Sequence, residues 1–312
     1  MNFLTEYFNS GSIKTQNMKR LGALLICITA ALLVISLAVL SIASLVNAAK
    51  GNNPGDEDDE EGTGGISVPT GYTTTTLDPA LIKAGNLLQI DANNPYNGTP
   101  TNLKIIGPER AKNQNGEVIY YAHNTVNYAL TAETMEALNK MMLAFYEETQ
   151  NTNVYVSAAY DQSAANQISA LHATATAITL HCYTEAPAHA TIYGVEEYEW
   201  IYEHAHEYGF VRASSKQGEE DIFRYVGVAH AMGMDKLNKT DFADYLELLR
   251  TRYNKPSAAL SVSVDGKTQR IYYQSAEAPT VIVPTKWEYT LSGDNVNGYI
   301  ITVDTSAQIK QN

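Results

Sequence analysis

The pattern of apolar and polar positions begins with one long, uninterrupted apolar run. Residues 21–49 contain no charged residue and are rich in Leu, Ile, Val and Ala. A helix needs roughly 20 apolar residues to cross a bilayer core about 30 Å thick, so the run predicts a transmembrane helix. The apolar part of a signal peptide is only about 7–15 residues long. The greater length favours an uncleaved anchor over cleavage after Ala48.

Charges on either side of this run predict its orientation. Lys14, Lys19 and Arg20 precede it, whereas Lys50 after it is followed by six consecutive acidic residues at 56–61. The positive-inside rule places residues 1–20 in the cytoplasm and the chain after the run outside the cell membrane. We therefore expect a single-pass membrane protein with extracytoplasmic C-terminal domains.

A polar stretch at residues 50–76 separates the run from the first patterned segment. It is dominated by Gly, Asn, Thr and acidic residues, which cannot bury a core. Such a composition is typical of a solvated linker.

Helical and strand patterns alternate from residue 77 to residue 254. Thr131 is placed to cap a helix, whose apolar positions recur at helical spacing and predict a core face: Met135, Leu138, Met141, Met142 and Phe145. Residues 195–208 predict a second helix that ends at Gly209, and Thr240 is placed to cap a third. Residues 154–157 and 223–228 predict strands.

Short β-type runs and turns follow from residue 255 to residue 312. The predicted strands are 260–262, 270–273, 280–283 and 299–303. Asp265-Gly266 and Asn297-Gly298 are the turn signals between them. The overall prediction is an α+β chain with one N-terminal transmembrane helix, helices packed on a small antiparallel sheet, and a small C-terminal all-β module.

Composition narrows the possible functions. The 312 residues carry a net charge of −13 with a pI near 4.9, which argues against a nucleic-acid partner. With only Cys27 and Cys182 present, a disulfide framework is excluded. Seven histidines are available, but no His-Glu-x-x-His motif occurs.

Several short sequence motifs, taken in their order along the chain, resemble those of a known family over roughly residues 80–253. They are GNLLQID at 85–91 with Asn94-Pro95-Tyr96, the strand leading to Tyr160, His172, HAHEYGF at 204–210, and FRYVG at 223–227. In this order they resemble the VanY-type D-alanyl-D-alanine carboxypeptidases, zinc enzymes that trim peptidoglycan stem peptides. The resemblance implies a site in which His, Asp and His hold Zn²⁺, Glu acts as the base, and Arg binds the substrate carboxylate.

When the family's zinc-ligand positions are matched to this chain, only some of them hold a residue that can bind zinc. His172 stands at the first zinc histidine, and Glu219 keeps the position of the base. Thr179 replaces the aspartate, and Ile222 replaces the second histidine. Because a zinc enzyme needs about three protein ligands, the resemblance predicts a degenerate member with no cofactor.

The substrate positions are only partly kept. Asp161 stands where the carboxylate-binding arginine belongs, and a carboxylate repels an anionic ligand. The candidate substrate contacts that remain by resemblance are Tyr160, Gln167, Arg224 and Tyr225.

Three hypotheses remain open. The first is a membrane-anchored, catalytically inactive domain that binds peptidoglycan peptide or an envelope protein. The second is an active zinc carboxypeptidase with relocated ligands, in which His181 and Asp221 approach His172. The third is a structural assembly protein that binds through its β tail and its surface tyrosines, of which the chain has 21.

Overall fold

A computed structural model describes residues 68–164, 167–184, 190–214, 216–277 and 280–309. These residues belong to one compact unit, Ile66–Asn312. Among them, no helix combines the length and apolar character needed to cross a membrane. The predicted transmembrane segment 21–49 lies outside the described residues.

Helical segments lie between residues 79 and 258 of the described chain. The α-helices are α1 Ile106–Glu109, α2 Ala132–Thr149, α3 Glu199–His204, α4 Val228–Lys236 and α5 Phe242–Thr251. Short 3₁₀ segments are Pro79–Lys83, His172–Thr174, Glu196–Tyr198, Ala205–Tyr208 and Pro256–Ala258.

Strands run through the whole described chain. In chain order they are β1 Tyr72–Thr76, β2 Leu103–Ile105, β3 Ala122–His123, β4 Tyr128–Thr131, β5 Tyr155–Ala158, β6 Tyr160–Asp161, β7 Ala177–Cys182, β8 Ala190–Thr191, β9 Phe210–Arg212, β10 Ile222–Tyr225, β11 Leu260–Val264, β12 Lys267–Ser275, β13 Thr280–Pro284, β14 Trp287–Gly293 and β15 Gly298–Gln308. The mixed α+β class predicted from the sequence is confirmed.

Four sheets organise these strands. The largest has the order β3-β5-β7-β10-β9 with β8 beside β7, and apart from the parallel pair β3–β5 its strands are antiparallel. The C-terminal sheet, β11-β12-β15-β14, is wholly antiparallel. The smaller sheets are β2-β4-β6 and β1-β13. Thus residues 72–76, at the end of the predicted linker, form a strand.

The longest helix, α2, packs on the largest sheet. Thr131 caps it, since its side-chain oxygen accepts the backbone N–H of Thr134 at 3.3 Å. All five residues of the predicted apolar stripe are buried. They share a core with Val156, Ile178 and Phe223 of the sheet. The sequence prediction for this helix is confirmed.

Two local predictions need correction. Asp241, not Thr240, caps α5, because its carboxylate accepts the backbone N–H groups of Ala243 and Asp244. The predicted helix at 195–208 is α3 flanked by two 3₁₀ segments.

The C-terminal strands are joined by two different turns. Asp265 and Gly266 both have positive φ, +50° and +73°, as the predicted two-residue hairpin requires. In contrast, the β14–β15 turn forms at residues 294–297, before Gly298, because the Asp294 carboxylate accepts three backbone N–H groups there.

The C-terminal sheet shares a core with the preceding helices. Leu246 and Leu249 of α5 pack with Val262, Ile271 and Ile300 of the sheet. The predicted division at residues 254/255 stays a prediction, and apolar packing crosses it.

Candidate functional site

The three positions that resemble zinc ligands converge in the fold. Thr179 in β7 and Ile222 in β10 are directly paired in the antiparallel register. His172, in the 3₁₀ turn before β7, reaches Thr179 with its Nε2 atom 3.1 Å from the threonine Oγ1. Cross-strand partners lie on the same face of a sheet. The three side-chain positions therefore form one site.

His172 is enclosed within this site by hydrogen bonds. It is fully buried, its Nδ1 lies 2.7 Å from Ser169 Oγ, and its Nε2 is taken by Thr179. Burial lowers the pKa of His172 from 6.5 to about 4, because the charged imidazolium is poorly solvated there. The histidine is therefore neutral at pH 7, and both ring nitrogens have protein partners.

The donor set at these positions does not fit a zinc ion. Of the three side chains, only that of His172 is a metal ligand, since an isoleucine has no donor atom and zinc sites use His, Cys, Asp or Glu. Within the described residues, no group of three or more such side chains is arranged to hold a metal.

His181 and Asp221 form a pair of their own. Their closest atoms, His181 Nε2 and Asp221 Oδ2, are 3.6 Å apart. The other oxygen of Asp221 accepts hydrogen bonds from the Tyr202 hydroxyl at 2.7 Å and the Tyr193 backbone N–H at 3.0 Å. The proposed relocated set of His172, His181 and Asp221 does not form a three-ligand group in the structure.

Glu219 lies at the edge of a cavity beside these positions. Its carbonyl accepts the backbone N–H of Ile222 at 3.1 Å, which fixes the turn leading into β10. The cavity, which we call the site cavity, has a volume of about 330 Å³ and is lined by Ser169, Glu219, Ile222, Arg224 and residues 89–91, among others. Its volume is at the lower end of the range for small-ligand sites.

Arg224 projects from the same strand but holds backbone groups. Its Nη2 donates to the carbonyls of Asn86 at 2.9 Å and Leu88 at 2.7 Å, and its Cζ lies 4.4 Å from the centre of the Phe242 ring. Burial lowers its pKa to about 10, yet within the described residues no carboxylate lies within 4.0 Å of it. The guanidinium therefore positions residues 86–88.

The other predicted substrate residues lie elsewhere. Tyr160 and Asp161 form β6, where Gln167 accepts the Asp161 backbone N–H at 2.8 Å and closes the loop. The Asp161 carboxylate accepts hydrogen bonds from the hydroxyl and backbone N–H of Ser163, and the hydroxyl bond lowers its pKa. Tyr225 lines a different, larger cavity of about 570 Å³.

Ser169 is a site residue that sequence reasoning missed. It stands three residues before His172, and its Oγ also accepts the His172 backbone N–H at 3.4 Å. A serine three residues ahead of a turn residue is a common local cap, which was the signal available in the sequence.

Sequence comparison with known proteins finds a similarity over part of the chain. No family model matches the chain. A D-alanyl-D-alanine carboxypeptidase from Enterococcus faecium is 35% identical over 118 residues, which cover 34% of this chain and 36% of that protein. The chain thus matches about a third of the relative's length.

Solved structures extend the likeness at the level of fold. The vancomycin-resistance D,D-dipeptidase VanXYg, solved with a D-Ala-D-Ala phosphinate analogue, superposes with a TM-score of 0.56 at 18% identity. The superposition covers 75% of this chain and 99% of that chain. The LD-carboxypeptidase LdcB superposes with a TM-score of 0.36 at 18% identity, over 49% of this chain and 80% of that chain.

The chain therefore shares its fold with a D,D-dipeptidase, and about a third of it is similar in sequence to a D-alanyl-D-alanine carboxypeptidase. The resemblance to D-alanyl-D-alanine carboxypeptidases expected from the sequence phrases is confirmed by the curated relative and by the shared fold.

Proposed function

We propose that this chain is a membrane-anchored, extracytoplasmic carboxypeptidase-like protein that binds peptidoglycan stem peptide without hydrolysing it by zinc chemistry. The observation that carries the proposal is the hydrogen-bonded chain Ser169–His172–Thr179 beside Ile222. Two of the three ligand positions lack a metal donor, and the remaining histidine is occupied on both nitrogens.

Support for retained binding comes from the site cavity. It remains open beside these positions, and its wall includes the ammonium of Lys216 and the carboxylates of Asp91, Glu219 and Asp241. A peptide end carries charged and hydrogen-bonding groups, which such a mixed wall can pair. The relatives named for D-Ala-D-Ala chemistry motivate the choice of peptide.

Peptide binding can be tested directly with the full-length protein. A synthetic peptide ending in D-Ala-D-Ala is titrated by calorimetry, with and without added zinc, and D-Ala release is measured in parallel. We expect saturable binding that does not require zinc, and no release. Absence of binding would contradict the proposal that the protein binds peptidoglycan stem peptide.

A matched pair of variants locates the binding. Ile222→Trp places a bulky side chain at the site cavity and should abolish binding. Ile105→Trp makes the same exchange at an exposed position in β2, outside the residues that line this cavity, and should leave binding unchanged.

The pair His181–Asp221 favours one second candidate, an active zinc carboxypeptidase with relocated ligands. Two potential ligands do lie side by side there. This candidate predicts stoichiometric zinc after loading and dialysis, loss of that zinc in His172→Ala, and D-Ala release. Our proposal predicts none of the three.

A further inference from the structure

The turn between β14 and β15, at residues 294–297, lies against the segment 84–94. Asp294 accepts the backbone N–H of Gln89 on its carbonyl at 2.8 Å. Asn295 donates its side-chain amide to the carbonyls of Gln89 and Asn94, both at 3.0 Å. Just before the turn, Ser292 Oγ accepts the backbone N–H of Leu87 at 3.1 Å.

The turn is itself rigidly held by a buried carboxylate. Asp294 is fully buried, and its Oδ1 accepts the backbone N–H groups of three successive residues, 296, 297 and 298, at 2.8–2.9 Å. Its Oδ2 accepts Arg250 Nε at 3.1 Å and Nη2 at 3.0 Å. Such charge-assisted bonds are stronger than neutral ones, so the turn presents a fixed surface.

Arg250 also joins this network to the segment. Its Nη2 donates to the side-chain carbonyl of Gln89 at 2.9 Å. From the opposite side, Arg224 in β10 donates to the carbonyls of Asn86 and Leu88. The segment is therefore held between the strand that carries Ile222 and the C-terminal turn.

The segment 84–94 borders the site cavity. Gln89, Ile90 and Asp91 line the site cavity. The β14–β15 turn, more than 200 residues later in the chain, holds the backbone on either side of Ile90 and Asp91, through hydrogen bonds at Gln89 and Asn94.

We propose that the β14–β15 turn positions residues 89–91 as a wall of the site cavity, so that peptide binding depends on the C-terminal sheet. Asn295 is the positioning residue, because its side chain holds the segment at both Gln89 and Asn94. The proposal rests on the proposed function, and it makes the β tail part of one site instead of a separate binding module.

The test uses Asn295→Gly in the full-length protein. Asn295 has a φ of +62°, which glycine adopts without strain, so this variant removes the amide contacts and keeps the backbone of the turn. Asn238→Gly is the matched control: its φ is +51°, and its exposed side chain makes no hydrogen bond within the described part of the chain.

Two readouts are measured under conditions where all variants are folded by circular dichroism. Amide hydrogen exchange at residues 87–94 should become at least fivefold faster in Asn295→Gly and stay unchanged in the control. The dissociation constant for the D-Ala-D-Ala peptide should rise at least fivefold in Asn295→Gly alone.

The two readouts separate failure of this inference from failure of the proposed function. If the wild type binds the peptide and Asn295→Gly binds equally well, the positioning role is overturned. If the wild type does not bind, the proposed function fails. In that case the amide exchange rates at residues 87–94 still test whether Asn295 holds the segment. Equal rates in both glycine variants would overturn this positioning role.

Discussion

Acid should destabilise the fold through His230, a histidine that joins three elements. It is buried in α4, with Nδ1 2.9 Å from the hydroxyl of Tyr245 in α5 and Nε2 2.7 Å from Thr302 Oγ1 in β15. Burial lowers its pKa from 6.5 to about 3. The folded protein therefore keeps this imidazole neutral over a pH range in which the unfolded chain protonates it.

Proton linkage gives the direction and the size of the change in the free energy of unfolding with pH. Between pH 6.5 and pH 3 the unfolded state binds more protons at this position, so stability falls as the pH falls. The contribution of His230 is fully present above the unfolded pKa. Between pH 7 and pH 5 the loss from this group is about 2 kcal/mol.

Urea unfolding of the full-length protein at pH 7 and pH 5 measures this effect. The fluorescence of Trp200 and Trp287 follows the transition. His230→Gln keeps a polar side chain but cannot titrate, so its loss of stability between the two pH values should be smaller than that of the wild type by about 2 kcal/mol. Other titrating groups contribute equally to both proteins and cancel. The same pH dependence in both, within about 0.5 kcal/mol, would refute the reasoning.

Three further variants test individual contacts by urea or thermal unfolding. Asp241→Ala should cost about 1 kcal/mol by removing the cap of α5, whereas Thr240→Ala should cost little; the reverse order would contradict the cap assignment. Gly293→Ala should cost about 1–3 kcal/mol or more, because a Cβ there overlaps the carbonyl of Ile82, and an unchanged midpoint would show that the segment yields easily. Asp294→Ala should cost about 3 kcal/mol, because it removes the buried carboxylate that accepts Arg250 and three backbone N–H groups; a loss below about 1 kcal/mol would mean that Glu247 and solvent compensate for it.

Local sequence patterns predicted the elements that depend on neighbours along the chain. The stripe on α2 and its cap at Thr131 appear as expected, since a helical face and an N-cap involve residues only three or four apart. The Asp265-Gly266 hairpin likewise follows from the positive φ that both residues adopt. The cap of α5 was misplaced by one residue, because Thr240 and Asp241 compete for the same role and only the carboxylate reaches the free N–H groups.

At the site, the sequence alone determined which chemical groups are present. The side chains of Thr179 and Ile222 cannot complete a zinc site with His172, whatever the fold. The partnership of Ser169 with His172 needed the structure, although the two residues are close along the chain.

Only the tertiary structure decided how distant groups meet. The pairing of Arg224 with carbonyls at residues 86 and 88, and that of Asn295 with Gln89, join positions 136 to 206 residues apart. No local periodicity encodes such contacts, because hydrogen bonds depend on distance and direction that arise once the sheets have packed. The sequence by itself determined the anchor prediction, the elements that depend on near neighbours, and which donor groups stand at residues 172, 179 and 222. Packing decided that the C-terminal turn and the strand of Ile222 hold the same wall of the site cavity.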